Sequence, residues 1–184
     1  IDGIIVNPGA TYKIDKNFIN QYESLNVIVT PSTGVNHIDI DYCQLKKIKV
    51  YSLLNDRTTL NSITASAEFT FTLILMAMRN YKRLIKLGDL KKWRTNEDQF
   101  RGNELFSKKI GIVGYGRIGK KIHKYSTAFG CKCSFYDPYV KKNNKNIIKI
   151  NNLKKLFSHN DIIVLSPYLN TKNFEMINMS ILNC

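Results

Sequence analysis

Short apolar runs alternate with segments of helical spacing along the chain. Residues 3–7 (GIIVN) and 25–30 (LNVIVT) are runs of β-branched and other apolar residues ending in turn chemistry, the pattern of strands covered on both faces of a parallel sheet. Between them, DKNFINQYESL places Phe18, Tyr22 and Leu25 at helical spacing, completing an α/β unit. After PSTGVNHIDID, a short helix (YCQLKKI) leads to a further strand (KVYSLL) and then to a polar loop, NDRTTLNS, a candidate hinge.

The pattern changes at Ala65. Residues 65–88 (ASAEFTFTLILMAMRNYKRLIKLG) predict one long helix, apolar around much of its circumference, with Gly88 as its stop. A helix apolar on all sides is expected to be covered on several of them. An irregular segment, 89–107, follows and carries the single tryptophan, Trp93. Alternation then resumes: strand KKIGIVG, helix RIGKKIHKYSTAFG with Ile118, Ile122, Tyr125 and Phe129 on one face, strand CKCSFYD, and NIIKI, NLKKLFS and DIIVLS as strand, helix and strand. This is the order of a parallel doubly wound sheet. The apolar stretch 69–78 is interrupted by Thr70 and Thr72 and is shorter than the roughly 20 residues that cross a bilayer, so no membrane span is expected.

Gly114, Gly116 and Gly119 form G-x-G-x-x-G between the strand at 108–114 and the helix that follows. Alone the pattern is weak, but Asp137 closes the next strand 18 residues after Gly119, near the offset of about 20 expected of a ribose-binding acid. In such a loop Gly114 permits the tight turn, Gly116 admits a pyrophosphate to the backbone, and Gly119 lets helix and strand approach. The amides of Arg117 and Ile118 then meet phosphate oxygens at the positive end of the helix dipole. A carboxylate at 137 would bind both adenosine ribose hydroxyls and repel a 2′-phosphate, which favours NAD over NADP, although Lys141 and Lys142 lie close by.

Composition alters this picture little. A net charge of +14 raises nucleic acid as a partner, but lysine pairs recur from Lys46-Lys47 to Lys154-Lys155 without one basic stripe or interleaved aromatics, so none is expected. Cys43, Cys131, Cys133 and Cys184 form neither a disulfide framework nor a zinc pattern, which fits a reducing cytoplasm and no metal site. Cys131 and Cys133 alternate along a strand and are expected simply to pack. The chain begins at Ile1 without a leader pattern, so its natural start is expected to lie elsewhere.

Several motifs occur in one order along nearly the whole chain: TGVNHIDID (33–41), SAE (66–68), GDLKKW ending at Trp93, IGIVGYGRIG (110–119), YDP (136–138) and NDIIVLS (160–166). On these the chain resembles the D-isomer-specific 2-hydroxyacid dehydrogenases, in particular the branch similar to phosphoglycerate dehydrogenase. The resemblance implies a Rossmann-type parallel doubly wound sheet and a smaller flavodoxin-like α/β substrate domain, both incomplete here. It divides the chain into a substrate domain portion at 1–60 and an NAD-binding portion at 61–184, with the helix at 65–88 as a dimer arm. It further implies that backbone N–H groups of Ser32, Gly34 and Val35 hold the substrate carboxylate, that Thr33 lies near the nicotinamide end, and that Ser166, Pro167 and Thr171 border the adenosine half.

Three departures accompany the likeness. Asn7 stands where the phosphoglycerate branch has an arginine, which sets a phosphorylated substrate in question. The family's HxPL after the fourth strand reads SPYL, with a shortened continuation. The arginine, glutamate and histidine that the resemblance implies for catalysis fall beyond the residues matched by Asn178 to Cys184, so no catalytic residue is expected in this chain. Of the three histidines, His123 and His159 are expected at the solvated surface, and His37 follows the carboxylate loop without a catalytic counterpart.

The expected function is therefore hydride transfer between NAD and a small D-2-hydroxy or 2-keto acid by a cytoplasmic homodimer. A binding protein of the same fold that senses NAD, similar to the corepressors, and an inactive truncated remnant are the alternatives.

Overall fold

The structure, a computed structural model, describes residues 1–9, 12–86, 97–141 and 146–184. Gly88, Trp93 and Lys142 lie outside the described residues. The chain forms two units: Ile1–Ile63 with Tyr168–Phe174, and Thr64–Pro167 with Glu175–Cys184.

In the first unit β1 (Gly3–Ile5), α1 (Lys16–Ile19), β2 (Val27–Thr30), α2 (Ile40–Leu45), β3 (Lys49–Ser52), a 3-10 turn (Leu53–Asn55) and α3 (Arg57–Ser62) follow one another. The three strands pair in parallel in the order β1-β2-β3, with Ile28 opposite Ile4 and Val50. Side chains of Ile14, Ile19, Leu25, Ile28, Ile38 and Cys43 fill the core beside this sheet. The helices are short and each begins on an aspartate: Asp15, Asp39 and Asp56 accept from the amides of Phe18, Tyr42 and Thr59.

Two boundaries differ from expectation. NDRTTLNS is mostly helix rather than hinge, because Asp56 also accepts the Thr59 hydroxyl at 2.6 Å and Leu60 is buried. The division falls after Ile63 rather than at 60, and 168–174 joins the first unit.

In the second unit come α4 (Ala65–Met78), α5 (Tyr81–Lys86), α6 (Glu97–Phe100), β4 (Lys109–Val113), α7 (Arg117–Ala128), β5 (Lys132–Tyr136), β6 (Ile148–Lys149), α8 (Leu153–Ser158), β7 (Ile162–Leu165) and α9 (Met179–Leu182). The sheet is parallel throughout, in the order β6-β5-β4-β7. The chain therefore runs outward from β4 to β6 and returns to β4's other side, which makes the carboxyl end of β4 the point where strand order reverses.

The long helix expected at 65–88 is interrupted. Asn80 takes a left-handed φ of +52°, the Asn103 amide takes the Met78 carbonyl at 2.6 Å, and the Asn80 side chain donates to the Arg101 carbonyl at 2.8 Å. The crossing segment at 101–103 so close to the end of α4 requires Gly102, where a Cβ would come within 2.7 Å of the Arg79 backbone. Nor is α4 covered all round. Ala67, Phe71 and Ile74 pack into the core with Ile110, Ile112, Ile122 and Phe135, and the Phe71 ring meets Tyr125 and Phe129 edge-on at 5.8 and 5.0 Å. Phe69 and Leu73, on the outer side, are 65% and 49% exposed. By length and a mean hydropathy of 1.3, the stretch Arg57–Met78 would suffice to cross a membrane, which reading 69–78 alone misses. Its second part is nonetheless a core element of this unit through Ala67, Phe71 and Ile74.

Candidate functional site

The glycine loop leaves β4 at the switch point and enters α7. Its three glycines have different reasons. Gly114 has φ +86°, and a Cβ there would lie 2.7 Å from the Pro167 nitrogen. At Gly119 a Cβ would run into the Gly114 carbonyl oxygen and come within 3.1 Å of Ile112. Both are required by the protein's own packing. Gly116 is not: its φ is −82°, it is exposed, and an added Cβ would meet nothing within 4 Å. Bare backbone beside open space at a helix start fits a group that approaches from outside, as a pyrophosphate does.

The helix that opens there suits an anion. Gly116 is the N-cap of α7 and supplies no side-chain cap, so the first turn, which holds Arg117 and Ile118, stands at the positive end of a twelve-residue dipole. Asp137 stands beside the loop. Its Oδ2 accepts from the Tyr115 amide at 2.8 Å and its Oδ1 from the Tyr139 amide at 2.9 Å. Each carboxylate oxygen keeps acceptor capacity beyond these bonds, so ribose hydroxyls can still be received.

Two supports of the loop were not predicted. The Tyr115 side chain turns inward, stacks on Phe135 with centroids 4.3 Å apart, and its hydroxyl lies 2.7 Å from His123 Nδ1. His123 is consequently half-buried rather than solvated, and desolvation pushes its pKa below the ordinary value. His159 is exposed, as expected, and lies 2.9 Å from the Ser158 hydroxyl. Ser166 and Pro167 sit under the loop: the Ser166 hydroxyl donates to the Gly114 carbonyl at 2.8 Å, and Pro167 backs Gly114. Thr171 is exposed in a turn within the segment assigned to the first unit.

In the first unit, residues 32–35 follow β2. The N–H groups of Thr33, Gly34 and Val35 take no hydrogen-bond partner among the described residues. A Cβ on Gly34 would meet nothing within 4 Å. Consecutive free amides beside open space can receive a carboxylate. Thr30, 1% exposed, contacts both the Ser32 hydroxyl and His37 Nε2 behind the loop, an arrangement that residue spacing alone does not reveal. Asn7 is exposed and its side chain accepts the Gly9 amide at 3.0 Å, closing a turn.

The cysteines form no disulfide. All four are free, and no cluster of three metal-ligating side chains occurs among the described residues. Burial pushes the Cys133 thiol up to about 11, with Cys131 adding to the rise. That leaves it protonated and suited to packing, as expected. A cavity of about 620 Å³ lies at the other end of the sheet, lined by Lys109, Lys132, Cys133, Ile148 and Asn160, and includes no residue of the glycine loop.

Residues 1–111 match the family model for the D-isomer specific 2-hydroxyacid dehydrogenase catalytic domain, and residues 71–183 match that for the NAD binding domain of the same enzymes. The chain is 30% identical over 179 residues to D-3-phosphoglycerate dehydrogenase of Methanocaldococcus jannaschii, covering 96% of this chain and 32% of that protein. It is 29% identical to hydroxypyruvate reductase of Thermotoga maritima, covering 95% of this chain and 54% of that one. The chain thus spans from about a third to about half of these relatives' length. D-lactate dehydrogenase from Aquifex aeolicus, solved with NAD and lactic acid, superposes with a TM-score of 0.84 at 30% identity over 99% of this chain and 53% of that one. The NAD-dependent formate dehydrogenase of Staphylococcus aureus, at 22% identity over 100% of this chain and 54% of that one, shares the fold with a TM-score of 0.86. Matched to both domain models along nearly its whole length, the chain belongs to the D-isomer specific 2-hydroxyacid dehydrogenase family.

Proposed function

We propose that the full-length protein transfers hydride between NAD and a small D-2-hydroxy or 2-keto acid. The observation that carries this reading is the pair of glycines, Gly116 and Gly34, that no internal contact requires. One stands at the helix N-terminus beside Asp137, the other in a run of unpaired amides.

When bound, NAD supplies the hydride acceptor or donor. The chain's own residues bind and orient. Gly116 and the first turn of α7 take the pyrophosphate, Asp137 takes the adenosine ribose and disfavours a 2′-phosphate, and the amides of 32–35 take the substrate carboxylate. Holding that carboxylate fixes the adjacent carbon for attack, which lowers the entropic part of the barrier. Thr33 borders the nicotinamide end. The polarising cation and the proton donor would come from parts of the protein outside the residues matched here.

Asn7 favours an unphosphorylated acid, because it places an amide where a phosphate would call for a cation. The exposed Phe69 and Leu73 fit a second copy of the protein packed against α4. Thr70 and Thr72 donate their hydroxyls to carbonyls one turn back, at 2.8 and 2.9 Å, which leaves their methyls to extend that apolar surface. Four free thiols fit a cytoplasmic setting.

The test is NADH oxidation by the full-length protein with glyoxylate, pyruvate and hydroxypyruvate. Turnover of any of them supports the proposal. Tight NADH binding without turnover, together with capture of a peptide partner, would favour the NAD-sensing alternative.

A further inference from the structure

We infer that His37 and Thr30 are positioning residues that set the direction of the substrate-binding amide of Val35 through a one-way chain of hydrogen bonds. The inference rests on the functional reading of residues 32–35 given above.

Donor capacity fixes the direction of the chain. The Ser32 hydroxyl lies 2.7 Å from the Gly34 carbonyl oxygen, which can only accept, so the one Ser32 proton is used there. In the 3.0 Å contact between Thr30 Oγ1 and Ser32 Oγ, Thr30 must therefore donate. Its own single proton is then spent. In the 3.1 Å contact between Thr30 Oγ1 and His37 Nε2, the ring nitrogen must donate. The order is His37 Nε2–H to Thr30, Thr30 to Ser32, and Ser32 to the Gly34 carbonyl, with each bond polarising the next.

The last link carries the consequence. The Gly34–Val35 peptide is trans, like every other described peptide bond, so its carbonyl and the Val35 N–H point in opposite directions. Anchoring the Gly34 carbonyl on Ser32 turns the Val35 N–H away from that side chain and leaves it unpaired. Both ends of the relay are themselves held. Thr30 is 1% exposed at the end of β2, the His37 carbonyl accepts the Ile14 amide at 2.8 Å, and the Val35 carbonyl accepts the Ile38 amide at 2.9 Å. Glycine at 34 offers no side chain to hold this peptide, so without the relay its plane is free to rotate.

In this assignment His37 and Thr30 act on the substrate only through the Val35 amide. Their removal should weaken carboxylate binding equally in ground and transition states, raising KM while leaving kcat nearly unchanged. The experiment is steady-state kinetics of the full-length protein with its best 2-keto acid, for Thr30→Val, Thr30→Ser, His37→Phe and His37→Gln, with NADH affinity and melting temperature measured alongside. Thr30→Val and His37→Phe should raise KM about tenfold, the loss expected for one hydrogen-bond link, with NADH affinity unchanged. Thr30→Ser restores the hydroxyl, and His37→Gln restores an N–H donor at nearly the same reach; both should return KM to near the parent value. An unchanged KM in folded Thr30→Val or His37→Phe overturns the inference while leaving the functional reading intact. Equal losses in the restoring and the removing variants also overturn it, since they would mark a packing role. Should Thr30→Val fail to fold, the His37 pair decides alone. Absence of turnover by the parent protein with every acid tried would overturn the functional reading and this inference with it.

Discussion

Ser166 Oγ donates to the carbonyl oxygen of Gly114 across 2.8 Å, tying the end of β7 to the first glycine of the loop that follows β4. The bond holds in place a turn whose φ of +86° only glycine adopts readily. Ser166→Ala should weaken NADH binding roughly fivefold, the cost of about 1 kcal/mol for one such bond, without altering KM for the acid. Titration of NADH fluorescence measures the first quantity and steady-state kinetics the second.

Gly114→Ala and Gly116→Ala should separate what the fold needs from what the ligand needs. The first forces alanine into a left-handed conformation against Pro167 and should lower stability by about 1–3 kcal/mol. The second, where φ is −82° and space is open, should leave the melting temperature unchanged and reduce NADH affinity by about tenfold or more. Equal melting losses in the two variants would contradict the assignment of Gly116 to the pyrophosphate.

Asp137→Ser removes a charged acceptor of ribose hydroxyls and the charge that repels a 2′-phosphate. The preference for NADH over NADPH should fall by about tenfold or more, since hydrogen bonds to a charged group contribute about 1.5–3 kcal/mol. Affinities for both nucleotides, measured side by side, report it.

His123 predicts a pH dependence of stability. Its folded pKa lies below the ordinary 6.5 because of desolvation, so between the two values the unfolded chain binds a proton that the folded protein does not. The contribution is fully present above 6.5 and is lost as pH falls through 6.5 towards the folded pKa. Urea midpoints should drop on going from pH 8 to pH 5.5, and His123→Gln should flatten that part of the profile. A variant with an undiminished drop would show that other groups govern it.

Phe69→Lys places a charge on the exposed side of α4 and spares the inner face of Ala67, Phe71 and Ile74. Sedimentation at micromolar concentration should show a dimer for the full-length parent and a monomer for the variant. A monomeric parent would remove the proposal of a second copy on this face.

Much of this was legible in residue order, because strand periodicity, glycine spacing and aspartate placement are local properties. The strands at 109–113, 132–136 and 162–165 and the helix after the loop fall within the expected segments. What spacing could not show depends on contacts between distant segments. The interruption at Asn80 requires 101–103 to cross the end of α4, and nothing within 65–88 announces that crossing. The polar run at 55–62 read as a hinge because its residues are weak helix formers, yet the Asp56 cap and buried Leu60 outweigh propensity. His123 sits on a basic helix and only the inward turn of Tyr115 makes it a buried partner. The roles of Thr30 and His37 stayed hidden for the same reason: a relay is a property of rotamers, which sequence spacing does not encode.

Among the described residues, strand β7 lies at the end of the order β6-β5-β4-β7 and pairs on one side alone. Its residues are Ile162, Ile163, Val164 and Leu165, with no charge or proline among them to discourage a newcomer. A polypeptide ending soon after this strand would therefore carry a ready template for strand addition between molecules. Neighbours that cover this edge within a longer chain would, by the same physics, act as that chain's guard against aggregation during synthesis.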